Sequence, residues 1–226
     1  MAAFFGIATV IAAGNETGLA HHYAGRFSAD TSFEDVELRV GEEEGNVAYP
    51  GTLVFCCRSV YSRLCISRWR ADQPDPHLSN NETRIPFLLE STVITVSYQL
   101  IEAGSGSQLV SMRFERPSPG IWTIRVYNTQ FLTGEYHMWL PVQGFISDET
   151  VFLKPDPSNT ITVPGNSRLP ITTGAYNHRN NSIYIHSSRG YTSRDYVKPD
   201  LAAPGVEILG PSVRISAAFA LGFHPV

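Results

Sequence analysis

The sequence predicts a β-rich chain in two parts: a parallel sheet built from its two ends, and an antiparallel β-sandwich of jelly-roll type inserted between them. Three observations predict it. Phe4, Phe5, Ile7, Val10 and Ile11 make a nearly continuous apolar run, the texture of a parallel strand covered on both faces. From about Arg26 the apolar and polar residues alternate, as in strands with one wet face. Past about Phe145 the apolar runs and loops return.

Residues 4–14 form the first expected strand, and Gly14-Asn15-Glu16-Thr17-Gly18 breaks it as a loop. Val36-Glu37-Leu38-Arg39-Val40 then alternates strictly. The same texture recurs in 93–100, 109–114, 121–127 and 136–140. Turn residues separate these runs: Gly104-Ser105-Gly106-Ser107, Pro117-Ser118-Pro119-Gly120 and Thr133-Gly134-Glu135. Several short strands at this spacing, with no helical periodicity between them, suggest a sandwich or jelly roll. Trp122, Ile124 and Val126 share one face and are expected in its core. Thr160 to Gly165, Leu169 to Ala175, Ser182 to Ser187 and Lys198 to Val206 belong with the first strand. The expected division is therefore 1–25 with 146–226 as one domain, and 26–145 as the insert.

Hydrophobic residues make up 42% and charged residues 17%, so the chain can bury a core and is not compositionally disordered. A net charge of −4 and a pI near 6.0 give no basic field for nucleic acid. Met1 to Ala13 is too short to span a bilayer and lacks the cationic start of a secretory signal, since the first cation is Arg26. Neither a nucleic-acid nor a membrane partner is expected. Cys56, Cys57 and Cys65 are odd in number and lack paired CxxC spacing, so they suggest free thiols rather than disulfides or a zinc site. No metal or cofactor is expected. His21 and His22, being adjacent, project differently and are read as the exit into the insert. His178 and His186 are read as loop and strand surface.

Four segments in order carry a family resemblance: Ala12-Ala13-Gly14-Asn15, Ile171-Thr172-Thr173-Gly174-Ala175-Tyr176, Ser187-Ser188-Arg189-Gly190 and Lys198-Pro199-Asp200 through Ala203-Pro204-Gly205. Together they resemble the C-terminal half of a subtilisin-like serine peptidase, the subtilase or S8 family. The resemblance implies an α/β subtilisin-like parallel sheet, here partial. It implies that Asn15 is the oxyanion-hole donor, and that Ala13 and Gly14 help wall the pocket for the substrate side chain before the scissile bond. Ser187 and Ser188 belong by position to a scaffold turn. With its insert, the chain is similar to clostridial Csp-type germination proteases, some of which are active and others pseudoproteases. That implies a bacterial protein, intracellular or spore-associated.

The departures from the family pattern decide the expected activity. Subtilases use an Asp, a His and a Ser in that chain order. Only fourteen residues precede Asn15, so the Asp and His motifs have no room. No Gly-Thr-Ser exists, and Ser212 and Ser216 follow Ala203-Pro204-Gly205 too closely. The segment from Ser212 is expected to be a short apolar helix at best. Residues 55–80 fit the resemblance poorly, and Phe55 to Arg70 holds all three cysteines and four arginines. A truncated or frame-shifted gene product would explain both features. The expected function is therefore a peptidase fragment, inactive alone, whose family acts on a protein or peptide substrate and whose missing partner is the N-terminal half of the domain. The alternative is a non-catalytic pseudoprotease or binding scaffold in spore-germination signalling. A carbohydrate-binding sandwich ranks last.

Overall fold

Alternation dictates the larger part of the fold. In a strand, successive side chains point to opposite faces, so every second residue of an alternating run enters one core. The structure, a computed structural model, describes residues 6–42, 52–59, 62–67, 82–99, 108–128, 134–192, 196–210 and 218–220. The chain divides into two compact units, Ala20–Asp156 and Met1–Leu19 with Pro157–Val226.

The strands of Ala20–Asp156 are β2 (His22–Phe27), β3 (Phe33–Val40), β4 (Thr52–Ser59), β5 (Ser62–Ser67), β6 (Thr83–Phe87), β7 (Thr92–Gln99), β8 (Gln108–Glu115), β9 (Gly120–Asn128), β10 (Gly134–Trp139) and β11 (Val151–Phe152). They form two antiparallel sheets, ordered β2-β10-β4-β8-β7-β6 and β11-β3-β9-β5. Val36, Leu38, Trp122, Ile124 and Val126 of one sheet and Ile94, Val110, Met112, Phe114, Tyr136 and Met138 of the other belong to one buried core, each fully covered. Burying each such aliphatic side chain stabilises by about 1.5–3 kcal/mol. Trp122 sits edge-on to Phe114 at 5.5 Å and to Phe87 at 5.3 Å, and its indole N–H donates to the Ser118 carbonyl at 3.0 Å.

One charged side chain breaks the pattern. Glu34 precedes Val36 and Leu38 on the same face of β3, and its carboxylate accepts the Tyr136 hydroxyl at 2.7 Å and the Tyr23 hydroxyl at 3.2 Å. Burial, then the bond to Glu34, raises the Tyr136 phenol well above its ordinary value. Burial and the nearby Glu34 charge raise Tyr23 likewise. Gly25 is required beside this pair, because a Cβ there would fall on the Tyr136 ring.

Within the cysteine-rich stretch, Thr52–Ser59 and Ser62–Ser67 are strands. β4 pairs with β8 over eight residues and β5 with β9 over six. Both strands thus belong to the two antiparallel sheets. Residues 68–80 lie outside the described residues, as do Gly104 to Ser107 and Thr133, while Gly134 and Glu135 open β10 rather than a turn.

The other unit contains β1 (Val10–Ala12), β12 (Ile171–Asn177), β13 (Ser182–Ile183), β14 (Leu201–Pro204), β15 (Ile208–Gly210) and β16 (Ala218–Ala220). β12 lies parallel to β1 on one side and to β14 on the other, and antiparallel to β13. β15 and β16 pair with each other, so Ala218 to Ala220 is strand where the sequence suggested a short helix.

One expectation about this sheet is corrected. The first strand is shorter and more exposed than a strand covered on both faces: Ile7 is 59% and Val10 65% exposed. Phe4 and Phe5 lie outside the described residues. The physical reason is one-sided burial. Val10 shares its face with Ile171 and Leu201, which are exposed too, while Ala13, Thr172 and Gly174 on the other face are buried. The chain is β-rich overall, as expected. Among the described residues the helical segment is a single 3₁₀ turn, Thr17–Leu19.

The covered face is held by polar staples. The Thr172 hydroxyl donates to the Gly165 carbonyl at 2.6 Å. Its N–H donates to Asp200 Oδ2 at 2.6 Å, and the Asp200 N–H returns a bond to the Thr172 carbonyl at 2.8 Å. Lys198, with only 3% of its side chain exposed, donates to Asp200 at 2.6 Å and to the Pro170 carbonyl at 2.6 Å. The Lys198 ammonium first, and the Thr172 N–H second, hold the Asp200 carboxyl below its ordinary range.

Candidate functional site

The Asn15 loop is built from the end of β1. The parallel pairing of β1 with β12 carries on to Ala13, whose N–H donates to the Thr173 carbonyl at 2.9 Å. The Ala13 carbonyl accepts the Thr162 N–H at 3.0 Å, and Ala13 is 2% exposed. Gly14 then turns the chain with φ at +103°, a conformation that glycine adopts without a steric cost. A Cβ at Gly14 would lie 2.6 Å from Thr162 Oγ1 and 3.0 Å from Ser188 Oγ. Glycine is therefore demanded here by space as well as by conformation. Asn15 follows, half-buried, and the chain enters the 3₁₀ turn with the Leu19 N–H donating to the Glu16 carbonyl at 3.2 Å.

Two segments hold this loop. From one side, the Ser188 N–H donates to the Gly14 carbonyl at 2.9 Å and the Ser188 hydroxyl accepts the Glu16 N–H at 2.9 Å. From the other, Thr160 Oγ1 lies 2.8 Å from Thr17 Oγ1. The two segments are themselves joined: the Thr160 N–H donates to the Arg189 carbonyl at 2.9 Å, and Thr160 Oγ1 accepts the Arg189 N–H at 2.9 Å. Asn15 is thus carried on backbone fixed before and after it.

The residues singled out in the sequence fall as follows. Ala13, Gly14 and Asn15 are consecutive around the end of β1. Ser187 and Ser188 are buried at 4% and 2% exposure, and the oxygen of each accepts a backbone N–H, that of Ala175 at 2.9 Å for Ser187. Both are engaged in holding backbone. Gly190 allows the chain to pass against Lys198, whose carbonyl oxygen a Cβ there would overlap. His186 is not strand surface: it lies in a turn, and its Nδ1 would be 2.9 Å from a Cβ on Gly18. His178 is exposed in a turn. Ser212 and Ser216 lie outside the described residues.

His22 has a partner that sequence spacing did not suggest. It is 1% exposed, its ring stacks on those of His137 and Trp139 at 5.2 Å each, and its Nε2 is 3.0 Å from His137 Nδ1. Its Nδ1 is 3.1 Å from the Asp156 carbonyl, which can only accept. Neutral His22 therefore carries its proton on Nδ1 and accepts from His137. Period-two alternation in β10 was the available signal, since it puts His137 and Trp139 on one face. Among the described residues, no group of three or more His, Cys, Asp or Glu could hold a metal ion.

The sequence reading missed how the loop is held. Ser188 and Thr160 were visible only as a turn and a loop, and their action on Gly14, Glu16 and Thr17 spans more than 140 residues of chain.

No protein-family model matches the chain, and no curated protein matches it. Among solved structures it is similar to the CspB protease of Clostridium perfringens, with a TM-score of 0.79 and 24% identity over 96% of this chain. The match spans 45% of that protease, so this chain corresponds to less than half of its length. The likeness shows a shared fold: the described strands adopt the arrangement of the matching part of that clostridial protease.

Proposed function

We propose that this chain is part of a subtilisin-like serine endopeptidase domain carrying a jelly-roll insert, and that Asn15 is its oxyanion-hole donor. One observation supports this reading above the others: Asn15 stands directly after a parallel strand, on a loop pinned by Ser188 and by Thr160. The fold shared with a clostridial protease supports it in addition. In this reading Ala13 and Gly14 wall the pocket for the substrate residue before the scissile bond. The substrate is a protein or peptide. Its carbonyl is attacked by a serine activated by a histidine and aspartate that other polypeptide supplies, the N-terminal half of the domain among it. In subtilisin such a donor is worth about 3–4 kcal/mol of transition-state stabilisation. A donor without a nucleophile does not hydrolyse peptides at an enzymatic rate, so the chain alone is inactive. A fluorophosphonate probe tests this: it should leave the chain unlabelled, and stoichiometric labelling at Ser212 or Ser216 would sink the reading.

A second reading has one observation in its favour. Ala20–Asp156 contains its own buried core, as a self-sufficient binding module would. On that reading the chain is a non-catalytic pseudoprotease or scaffold in spore-germination signalling. It expects the whole native protein, including any flanking polypeptide, to bind a partner while lacking a reactive serine. Labelling of that whole protein by the same probe would eliminate it.

A further inference from the structure

The outer face of one sheet carries a buried histidine. Tyr23 and Phe27 of β2 and Tyr136 and Met138 of β10 enter the core, so His22, Ala24, His137 and Trp139 stand on the opposite face. Such a face is ordinarily wet, yet His22 is 1% exposed. Its ring is stacked with those of His137 and Trp139. The Asp156 N–H donates to the His22 carbonyl at 2.8 Å, and the Asp156 carbonyl accepts the His22 Nδ1–H at 3.1 Å. Nearby, the Phe152 N–H donates to the Ala20 carbonyl at 3.0 Å. Ala20–Asp156 is one compact unit, so these bonds tie its first residues to its last.

The two rings have room for one extra proton and not for two. In the neutral pair, His137 Nδ1 donates to His22 Nε2 across 3.0 Å, and His137 Nε2 carries a lone pair. A first added proton goes to His137 Nε2. Every bond of the pair is kept, and the one to His22 gains charge assistance. A second proton has one place left, His22 Nε2. There it would turn two donors towards each other at 3.0 Å and put positive charge on both rings. It would also charge a ring that water does not reach. His22 then has to leave the stack, which breaks its ring's bond to Asp156.

Other charged groups lie around the pair. Arg26, bound to Glu135 at 2.7 Å, is further along the same face. Lys154 and Asp156 are on the exit segment, and His21 precedes His22. The charges of Arg26 and Glu135 offset each other, as do those of Lys154 and Asp156. Arg58, in register with His137 on β4, can only oppose a second proton.

We propose that His22 and His137 form an acid-sensitive clamp joining the entry and exit of the sandwich, closed while the pair carries at most one extra proton and opened by a second. The clamp is complete above the ordinary imidazole value of about 6.5 and is lost as pH falls below it, because His22 is neutral when closed and binds a proton when open. This proposal does not depend on the peptidase reading.

The test follows the imidazole nitrogens of the isotope-labelled full chain by NMR from about pH 7.5 to about pH 4.5, together with the exchange protection of the Asp156 and Phe152 amides. At the upper end His22 should show the Nδ1–H tautomer. A first protonation, at His137, should leave the Asp156 amide protected. A second, at His22, should lower that protection at least about tenfold while the β7 and β8 amides stay unchanged. His22→Gln keeps a donor and an acceptor without a titrating ring, and should hold the Asp156 protection constant over this range. His137→Asn keeps a donor to His22 and removes the like charge, so opening should move up by about one pH unit. Constant Asp156 protection in the wild-type chain would overturn the proposal. So would an acid step that survives in His22→Gln, or one that takes the β7 and β8 amides with it. If His22→Gln does not fold, His137→Asn decides alone, and an unmoved midpoint overturns the proposal.

Discussion

Ser188 closes directly on Gly14: its N–H donates to the Gly14 carbonyl at 2.9 Å, and its hydroxyl oxygen stands 3.0 Å from where a Gly14 Cβ would be. The same hydroxyl accepts the Glu16 N–H at 2.9 Å, so one buried serine fixes the backbone on both sides of Asn15. Ser188→Ala removes that acceptor and keeps the backbone bond. The expected loss is about 1–2 kcal/mol, concentrated in the loop. Native-state hydrogen exchange should show the Glu16 amide deprotected while the β7 and β8 amides stay unchanged.

Gly14→Ala should be worse than Ser188→Ala. It forces φ near +103° on a residue with a Cβ and drives that Cβ into Thr162. Strain of this kind costs about 1–3 kcal/mol before the overlap is counted. Denaturant unfolding of the two variants side by side checks the order, and equal stability of Gly14→Ala and wild type would refute it.

The sandwich should depend on Trp122 more than on any surface pair. Trp122→Ala deletes a fully buried side chain edge-on to Phe87 and Phe114, and leaves the Ser118 carbonyl without its indole donor. A loss of about 3–5 kcal/mol is expected. The exposed ion pair of Arg26 with Glu135 is the contrasting control, since both side chains are mostly in water. Its removal should change stability by less than about 1 kcal/mol.

Tyr136 and Tyr23 give the fold a high-pH limit. Their folded pKa values are raised, so the stability they contribute is fully present below the unfolded phenol value of 10.0 and is lost as pH rises beyond it. Absorbance titration should show these two phenols ionising only as the chain unfolds. Tyr136→Phe removes the 2.7 Å bond to Glu34 and should cost about 1 kcal/mol at neutral pH.

Asp200 sets an opposite, low-pH limit on the other unit. Its folded pKa is depressed, so its contribution is present above the ordinary value of 3.8 and is lost as pH falls through the depressed folded value. Because 38% of that side chain is exposed, the contribution is screened and modest. Lys198→Met should narrow this acid-dependent change and, by stripping the Pro170 carbonyl of its donor, destabilise at neutral pH by about 1–2 kcal/mol. Denaturant midpoints between pH 3 and 7 measure both effects.

The sandwich was legible because burial there is one-sided. The alternating runs at 36–40, 109–114 and 121–127 lie within strands, and those at 93–100 and 136–140 do so as far as Gln99 and Trp139; in each, every second residue, such as Val36, Ile94, Val110, Trp122 and Tyr136, is buried. Strands β4 and β5 were not named from the sequence, because Cys56, Cys57, Cys65, Arg58 and Arg63 interrupt a clear apolar alternation, yet the backbone pairs both strands regularly. The first strand was over-read for a related reason. A continuous apolar run marks a strand able to be covered on both faces, yet Val10 is 65% exposed and, among the described residues, its strand pairs on one side. Glu34 between two tyrosines, His22 on His137, and Ser188 on Gly14 were illegible, since each joins residues far apart in the chain and leaves no local periodicity. In the site, Ala13, Gly14 and Asn15 could be named from the strand-end motif, but the bonds that brace them could not.

The most direct test of the peptidase reading is the sequence of the genomic DNA on both sides of this reading frame. The account predicts Asp and His motifs upstream and a Gly-Thr-Ser downstream, in this frame or a shifted one, which together with Asn15 complete a subtilase site. Flanking DNA that encodes none of the three motifs in any frame would contradict it, and the binding scaffold would take its place.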